Sequence, residues 1–170
     1  MITDEEHEAV SGWFAGRLTQ EWTVEPPQVS VDREEITVVL TTDDVTGESE
    51  VATAEARAGR ARAFREDTRE ARMKLAREAE HRYQRKVSWG LRVGEHQELW
   101  THVAAPVMTR LRQPQRQVLD TLVESGVARS RADALAWCVR LVGQHESDWL
   151  AELREAMTAV DDVRSKGPAA

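Results

Sequence analysis

Apolar and polar positions change rhythm several times along this 170-residue chain, and each change marks an element. Val10, Trp13, Phe14 and Leu18 recur at helical spacing, with Thr3 placed as an N-cap and Glu6 three residues behind it, so residues 4–20 read as a short helix. Glu25-Pro26-Pro27 closes it, because neither proline can continue a helix. Val29 and Val31, then Ile36, Val38 and Leu40, alternate with polar neighbours around Asp32 to Glu35, which predicts two strands joined by a turn. Residues 41–49, with Asp43, Asp44 and Gly47, read as a loop. From Val51 to about Arg85 there is no proline and little β-branching, and Ala, Arg and Glu dominate, so the segment reads as one long helix weakened at Gly59. Its apolar positions (Phe64, Met73, Leu75, Ala76, Tyr83) are sparse, and Glu66 with Arg69 or Glu70 with Lys74 are spaced to pair along a wet face. The expectation is a solvent-facing strut or arm.

Val87, Trp89, Leu91 and Val93 alternate strictly and predict a strand. Gly94 to Gln97 reads as a turn, with a return strand through Leu99, Thr101 and Val103. Leu99, Val103, Val107 and Leu111 are also spaced by four, so residues 98–112 fit a helix as the alternative, although Pro106 would break it. Beyond Pro106 come a short alternating run (Val107 to Arg112), a helix from Gln115 to Ser125, a turn at Gly126 and a serine-capped helix from Arg131. The first helix is expected to bury Val118, Leu119, Leu122 and Val123, and the second Leu135, Cys138, Val139 and Val142. A further helix follows over 147–170, ending in a frayed tail at 165–170. The fold class implied is α+β. Its parts are an acidic helix and β-hairpin (1–50), a long basic helix (51–86), a second hairpin (87–105), a strand–helix–helix module (106–146) and the last helix (147–170).

Charge changes this picture by its distribution. The net charge of −7 speaks against a simple nucleic-acid binder. Residues 1–50, however, hold thirteen acids against Arg17 and Arg33, whereas residues 51–86 hold eleven bases against six acids. Residues 106–145 hold six bases against three acids. An acidic start beside a basic middle permits a basic binding face, an acidic segment folded back on it, or a protein partner taken by either. A solvated charged surface is the commoner explanation of such a run. The lone Cys138 precludes an internal disulfide and suits a reducing compartment. No secretory signal is visible at the N-terminus, and no apolar run has the length of a membrane span. A cytoplasmic protein with no membrane partner is expected.

From Pro106 onward the sequence resembles the ribbon-helix-helix family of DNA-binding proteins. The resemblance is carried by Val107-Met108-Thr109-Arg110-Leu111-Arg112, by Val118 to Val123, and by Ser125-Gly126-Val127-Ala128-Arg129-Ser130-Arg131-Ala132-Asp133-Ala134-Leu135, about forty residues in all. In that family the strand pairs with its copy in a second chain, which implies an obligate homodimer and a partner in double-stranded DNA. Strand alternation then turns Val107, Thr109 and Leu111 inward and Met108, Arg110 and Arg112 outward, toward a major groove that admits a two-stranded ribbon. Ser130 is a good N-cap for the second helix, with Asp133 three residues on. Arg129, Ser130 and Arg131 would offer amides and cations to a DNA phosphate. The implied role is a bacterial-type transcription regulator, nucleoid-associated if it binds DNA. The alternative is a structural or interaction protein using the same module to dimerise or dock. Family members often carry the strand near the N-terminus, whereas 105 residues precede it here.

No pattern of catalysis competes. His7, His81, His96, His102 and His145 show no paired ligand spacing, Cys138 falls on an apolar helix face, and neither a glycine-rich phosphate loop nor a nucleophile elbow occurs. Neither enzymatic activity, metal nor cofactor is expected. The six tryptophans, spread through every segment, read as core and interface anchors.

Overall fold

The computed structural model describes residues 2–166. The fold is α+β, and the chain divides into two units, Met1–Pro106 and Val107–Ala170.

The first unit is built on a four-stranded sheet ordered β1-β2-β3-β4 (Gln28–Val31, Glu35–Thr42, Lys86–Val93, His96–Leu99). Its outer pairs are antiparallel and its central pair, β2 with β3, is parallel. A parallel pair cannot be closed by a tight turn and needs a long crossover. The basic segment supplies it as two helices, α2 (Glu50–Asp67) and α3 (Arg69–Tyr83). The parallel register sets Ile36 opposite Val87, Val38 opposite Trp89 and Leu40 opposite Leu91, so these side chains share one face. With Val10 and Phe14 of α1 (Asp4–Arg17) and Ala61, Leu75 and Ala79 of the crossover, they make the core.

The crossover differs from expectation in two ways. It is not a strut, because Ala61, Leu75 and Ala79 are buried against the sheet. Alanine adds little to an apolar pattern yet lets a helix lie close to its neighbour, which is why the periodicity understated the buried face. Nor is it one helix. Thr68, at φ −94° and ψ 0°, interrupts it, and its Oγ1 donates to the Phe64 carbonyl at 2.6 Å. A hydroxyl bonded to the carbonyl four residues back competes with the helical ladder and favours a break.

The β1–β2 turn is held by Asp32 Oδ1, which accepts from the amides of Glu34 and Glu35 at 2.8 and 2.7 Å. β2 runs to Thr42, so the loop begins at Asp43 rather than Thr41. The β3–β4 turn is tighter than expected. Gly94 adopts φ +57°, and β4 spans only His96–Leu99, without Thr101 or Val103. The acidic start does fold back in part on the basic segment: Glu6 pairs with Arg85 at 2.7 Å and Asp44 with Arg57 at 2.6 Å, while Arg17 makes the opposite pairing with Glu78.

The second unit comprises α4 (Gln113–Glu124), α5 (Arg131–His145) and α6 (Ser147–Lys166). Pro114 sits in the first turn of α4, where a missing amide costs nothing. Gly126 at φ +77° makes the turn, with the Gly126 and Ala128 amides donating to the Val123 and Leu122 carbonyls. Leu119, Ala128 and Ala134 are buried, with Leu111, Leu122, Val123, Leu135 and Cys138 partly buried around them. Val118, Val139 and Val142, expected inside, are exposed. The expected strand from Val107 to Arg112 is likewise not formed, and residues 101–112 belong to neither strand nor helix. A lone edge has no ladder to join, and Pro106 bars the helical alternative. Residues 167–170 of the expected tail lie outside the described residues, whereas 165 and 166 close α6.

Candidate functional site

Two places carry chemistry, one in each unit. In the second, the segment ahead of α4 is almost wholly open to solvent. Met108 is 96% exposed and Val107 85%, and Thr109, Arg110 and Arg112 are exposed as well. Val107 and Thr109, expected to turn inward, therefore do not do so in the single chain. Leu111 alone is half-buried, packed on the Leu119–Ala134 cluster. Two bonds fix the junction with α4: the Arg112 amide donates to Gln115 Oε1 at 2.9 Å, and Arg116 donates to the Leu111 carbonyl at 2.7 Å.

At the start of α5, Ser130 Oγ accepts from the Asp133 amide at 3.2 Å, the capping bond expected of it. Asp133 Oδ2 in turn accepts from the Arg129 amide at 3.0 Å, and this hydrogen bond holds the Asp133 carboxyl below its ordinary value. Arg131 is engaged rather than free. It donates through Nε and a terminal nitrogen to both oxygens of Asp120 at 2.6 and 2.8 Å, a bidentate pair that lowers the Asp120 pKa and raises that of Arg131. The Arg129 side chain is 95% exposed, 3.6 Å from the Asp133 carboxylate. The terminus thus presents one exposed cation loosely paired with an acid of its own and one cation tied to Asp120.

The site in the first unit was missed by sequence reasoning. Arg65, Arg69, Arg72 and Arg77 line a groove of about 410 Å³, together with Met73, Trp89 and Trp100. Arg72 is the centre of it. The residue is only 6% exposed, its Nε donates to Thr68 Oγ1 at 2.9 Å, and a terminal nitrogen donates to the Arg65 carbonyl at 2.7 Å. Its guanidinium lies 4.4 Å from the Trp100 ring centre, a cation–π contact. No carboxylate pairs with it among the described residues. Burial, with Arg65 and Arg69 nearby, pushes its pKa down to about 10. It remains charged at neutral pH. Helical spacing of arginines at 65, 69 and 72 was the available signal, but it read as a solvated face because Trp100, the ring that covers Arg72, comes 28 residues later in the sequence.

Among the described residues no cluster of three or more His, Cys, Asp or Glu side chains is placed to hold a metal ion, and no helix is long and apolar enough to cross a membrane.

The chain as a whole is of a two-domain kind. Residues 8–99 match the model of the Rv1265-like protein N-terminal domain, and residues 112–164 match that of the Mb1296 C-terminal domain. The chain belongs to the Rv1265-like family. It is 58% identical over 156 residues to uncharacterized protein Mb1296 of Mycobacterium bovis and equally to uncharacterized protein Rv1265 of Mycobacterium tuberculosis, over 92% of this chain and 69% of each relative. No solved structure matches it. Residues 100–111, which include Met108 and Arg110, fall between the two matched domains.

Proposed function

We propose that this protein is a dimeric, sequence-specific DNA-binding protein, a non-enzymatic regulator of transcription whose ribbon is completed by a second copy of the chain. The observation that carries the reading is the state of residues 107–112. An alternating segment with two arginines and an exposed methionine lies unpaired and open, immediately ahead of two packed helices. Val118, Val139 and Val142 stand exposed on those same helices, which is the surface a second copy would cover. Paired antiparallel with its copy, the segment would gain the ladder it lacks alone. Met108, Arg110 and Arg112 would then project from one face of the ribbon into the major groove, where arginine can bond guanine O6 and N7 together. Arg129 and the capped start of α5 would meet the phosphates.

A second reading is supported by the Arg131–Asp120 pair, which removes one of the cations a phosphate would use. In that reading the module only dimerises or docks a protein. Binding to random duplex DNA across a salt series separates the two, because phosphate contacts release counterions and give a steep slope. Absence of DNA binding at low salt leaves the interaction protein standing.

A further inference from the structure

Burying a cation without a counter-ion is costly. Arg72 is such a cation. Two of its five N–H groups are used, by Thr68 Oγ1 and the Arg65 carbonyl. Neither acceptor carries charge. Arg65, Arg69 and Arg77 line the same groove, and none of them has an ion pair among the described residues. Glu80 is the acid on its wall, and it is already paired with Lys86 at 3.1 Å. The groove therefore holds four guanidinium groups against one carboxylate, which Lys86 already engages. Arginine is the residue suited to two-pronged recognition of phosphate.

The other wall is apolar. Met73, Ala76, Val87, Trp89 and Trp100 contribute to it, and Phe64 packs behind Trp100 at 6.2 Å between ring centres. A volume of about 410 Å³ lies within the range of small-ligand sites. A duplex backbone is a poor match, since the most buried donor lies at the groove's interior, beneath Trp100. We propose that this groove binds a small organic phosphate, with the phosphate held by Arg72, Arg69 and Arg65 and an apolar or flat organic part resting on Trp89, Trp100 and Met73. Arg77 adds long-range attraction at the rim. The site lies wholly within the first unit and stands or falls independently of DNA binding.

The test is calorimetric titration of the full chain with phenyl phosphate, pyrophosphate, inorganic phosphate and benzyl alcohol, with duplex DNA as a fifth arm. Phenyl phosphate should bind more tightly than inorganic phosphate, and benzyl alcohol should not bind. Arg69→Ala and Arg65→Ala, both at exposed positions that leave the core intact, should each weaken phenyl phosphate binding at least about tenfold. Arg72→Gln should abolish it, with circular dichroism checking that the fold persists. Arg60→Ala, exposed on α2 and outside the groove, should change nothing. Equal affinity for phenyl phosphate and inorganic phosphate overturns the organic-ligand assignment. The whole proposal is overturned if phosphate esters do not bind, if their binding is insensitive to Arg69 and Arg65, or if these arginines serve duplex DNA alone.

Discussion

Arg57, Arg72 and Arg110 carry the same guanidinium in three settings, and their partners separate what each does. Arg57 is clamped by both oxygens of Asp44, beside Gly94, whose missing side chain makes room for that carboxylate. Any side chain at 94 would strike Asp44 and strain the φ of +57°, so Gly94→Ala should lower stability, by roughly 1–2 kcal/mol in chemical denaturation. Arg72 is buried without an acid. Arg110 and Arg112 are exposed and make no side-chain ion pair among the described residues. If they read bases, replacing either by alanine should weaken specific DNA binding by about 1–3 kcal/mol per lost bidentate contact while leaving the melting temperature unchanged. Thr109→Ala, one step out of phase, should leave recognition largely intact. Damage at 108, 110 and 112 and not at 109, measured by titration against a selected site, is the signature. Undiminished binding by both arginine variants would remove the ribbon from the reading surface.

At the scale of elements, the start of α5 makes a prediction in its own right. Ser130 caps the helix and Asp133 secures the Arg129 amide. Ser130→Ala should cost about 1 kcal/mol in the unfolding free energy. Asp133, Asp120 and Asp44 all have folded pKa values lowered from 3.8, through hydrogen bonds from Arg129, Arg131 and Arg57 respectively. Stability from such groups is fully present above the unfolded value and is lost as pH falls through the folded one. Denaturation midpoints should therefore hold from neutral pH to about 5 and fall below 4, and Asp133→Asn should flatten that fall. Strands and caps of this kind were legible in the sequence because each depends on neighbours. The alternation of Val87 to Val93, the Asp32 turn and the Ser130 cap all stand where the pattern put them. What the pattern missed depends on distant partners. The crossover packs through alanines because β2 and β3 are parallel, the helix breaks at Thr68 through one hydroxyl, and Arg72 is buried by a tryptophan from beyond β4. The reverse case is the strand expected at 107–112, which is not formed because no pairing edge is present beside it.

For the whole molecule, assembly is the decisive property. The second unit leaves Val107, Met108, Val118, Val139, Leu141 and Val142 exposed, apolar side chains that a second copy could cover. A two-stranded ribbon would turn Val107 inward onto the helices and leave Met108 on the reading face, and the second copy's helices would cover the valines of α4 and α5. Symmetry makes the contact self-complementary, so one substitution acts twice. Light scattering or sedimentation at micromolar concentration should give twice the 19.2 kDa mass of the chain. Val139→Glu sits on an exposed position, so the single chain should still fold. In the dimer it would bury two carboxylates without partners, each costing more than the methyls it replaces. The variant should therefore sediment as a folded monomer, retain its helical circular dichroism and lose DNA binding in the same concentration range. A wild-type chain that is monomeric at hundreds of micromolar, or a Val139→Glu variant that stays dimeric, would place any interface elsewhere and leave residues 107–112 without the strand partner on which base reading depends.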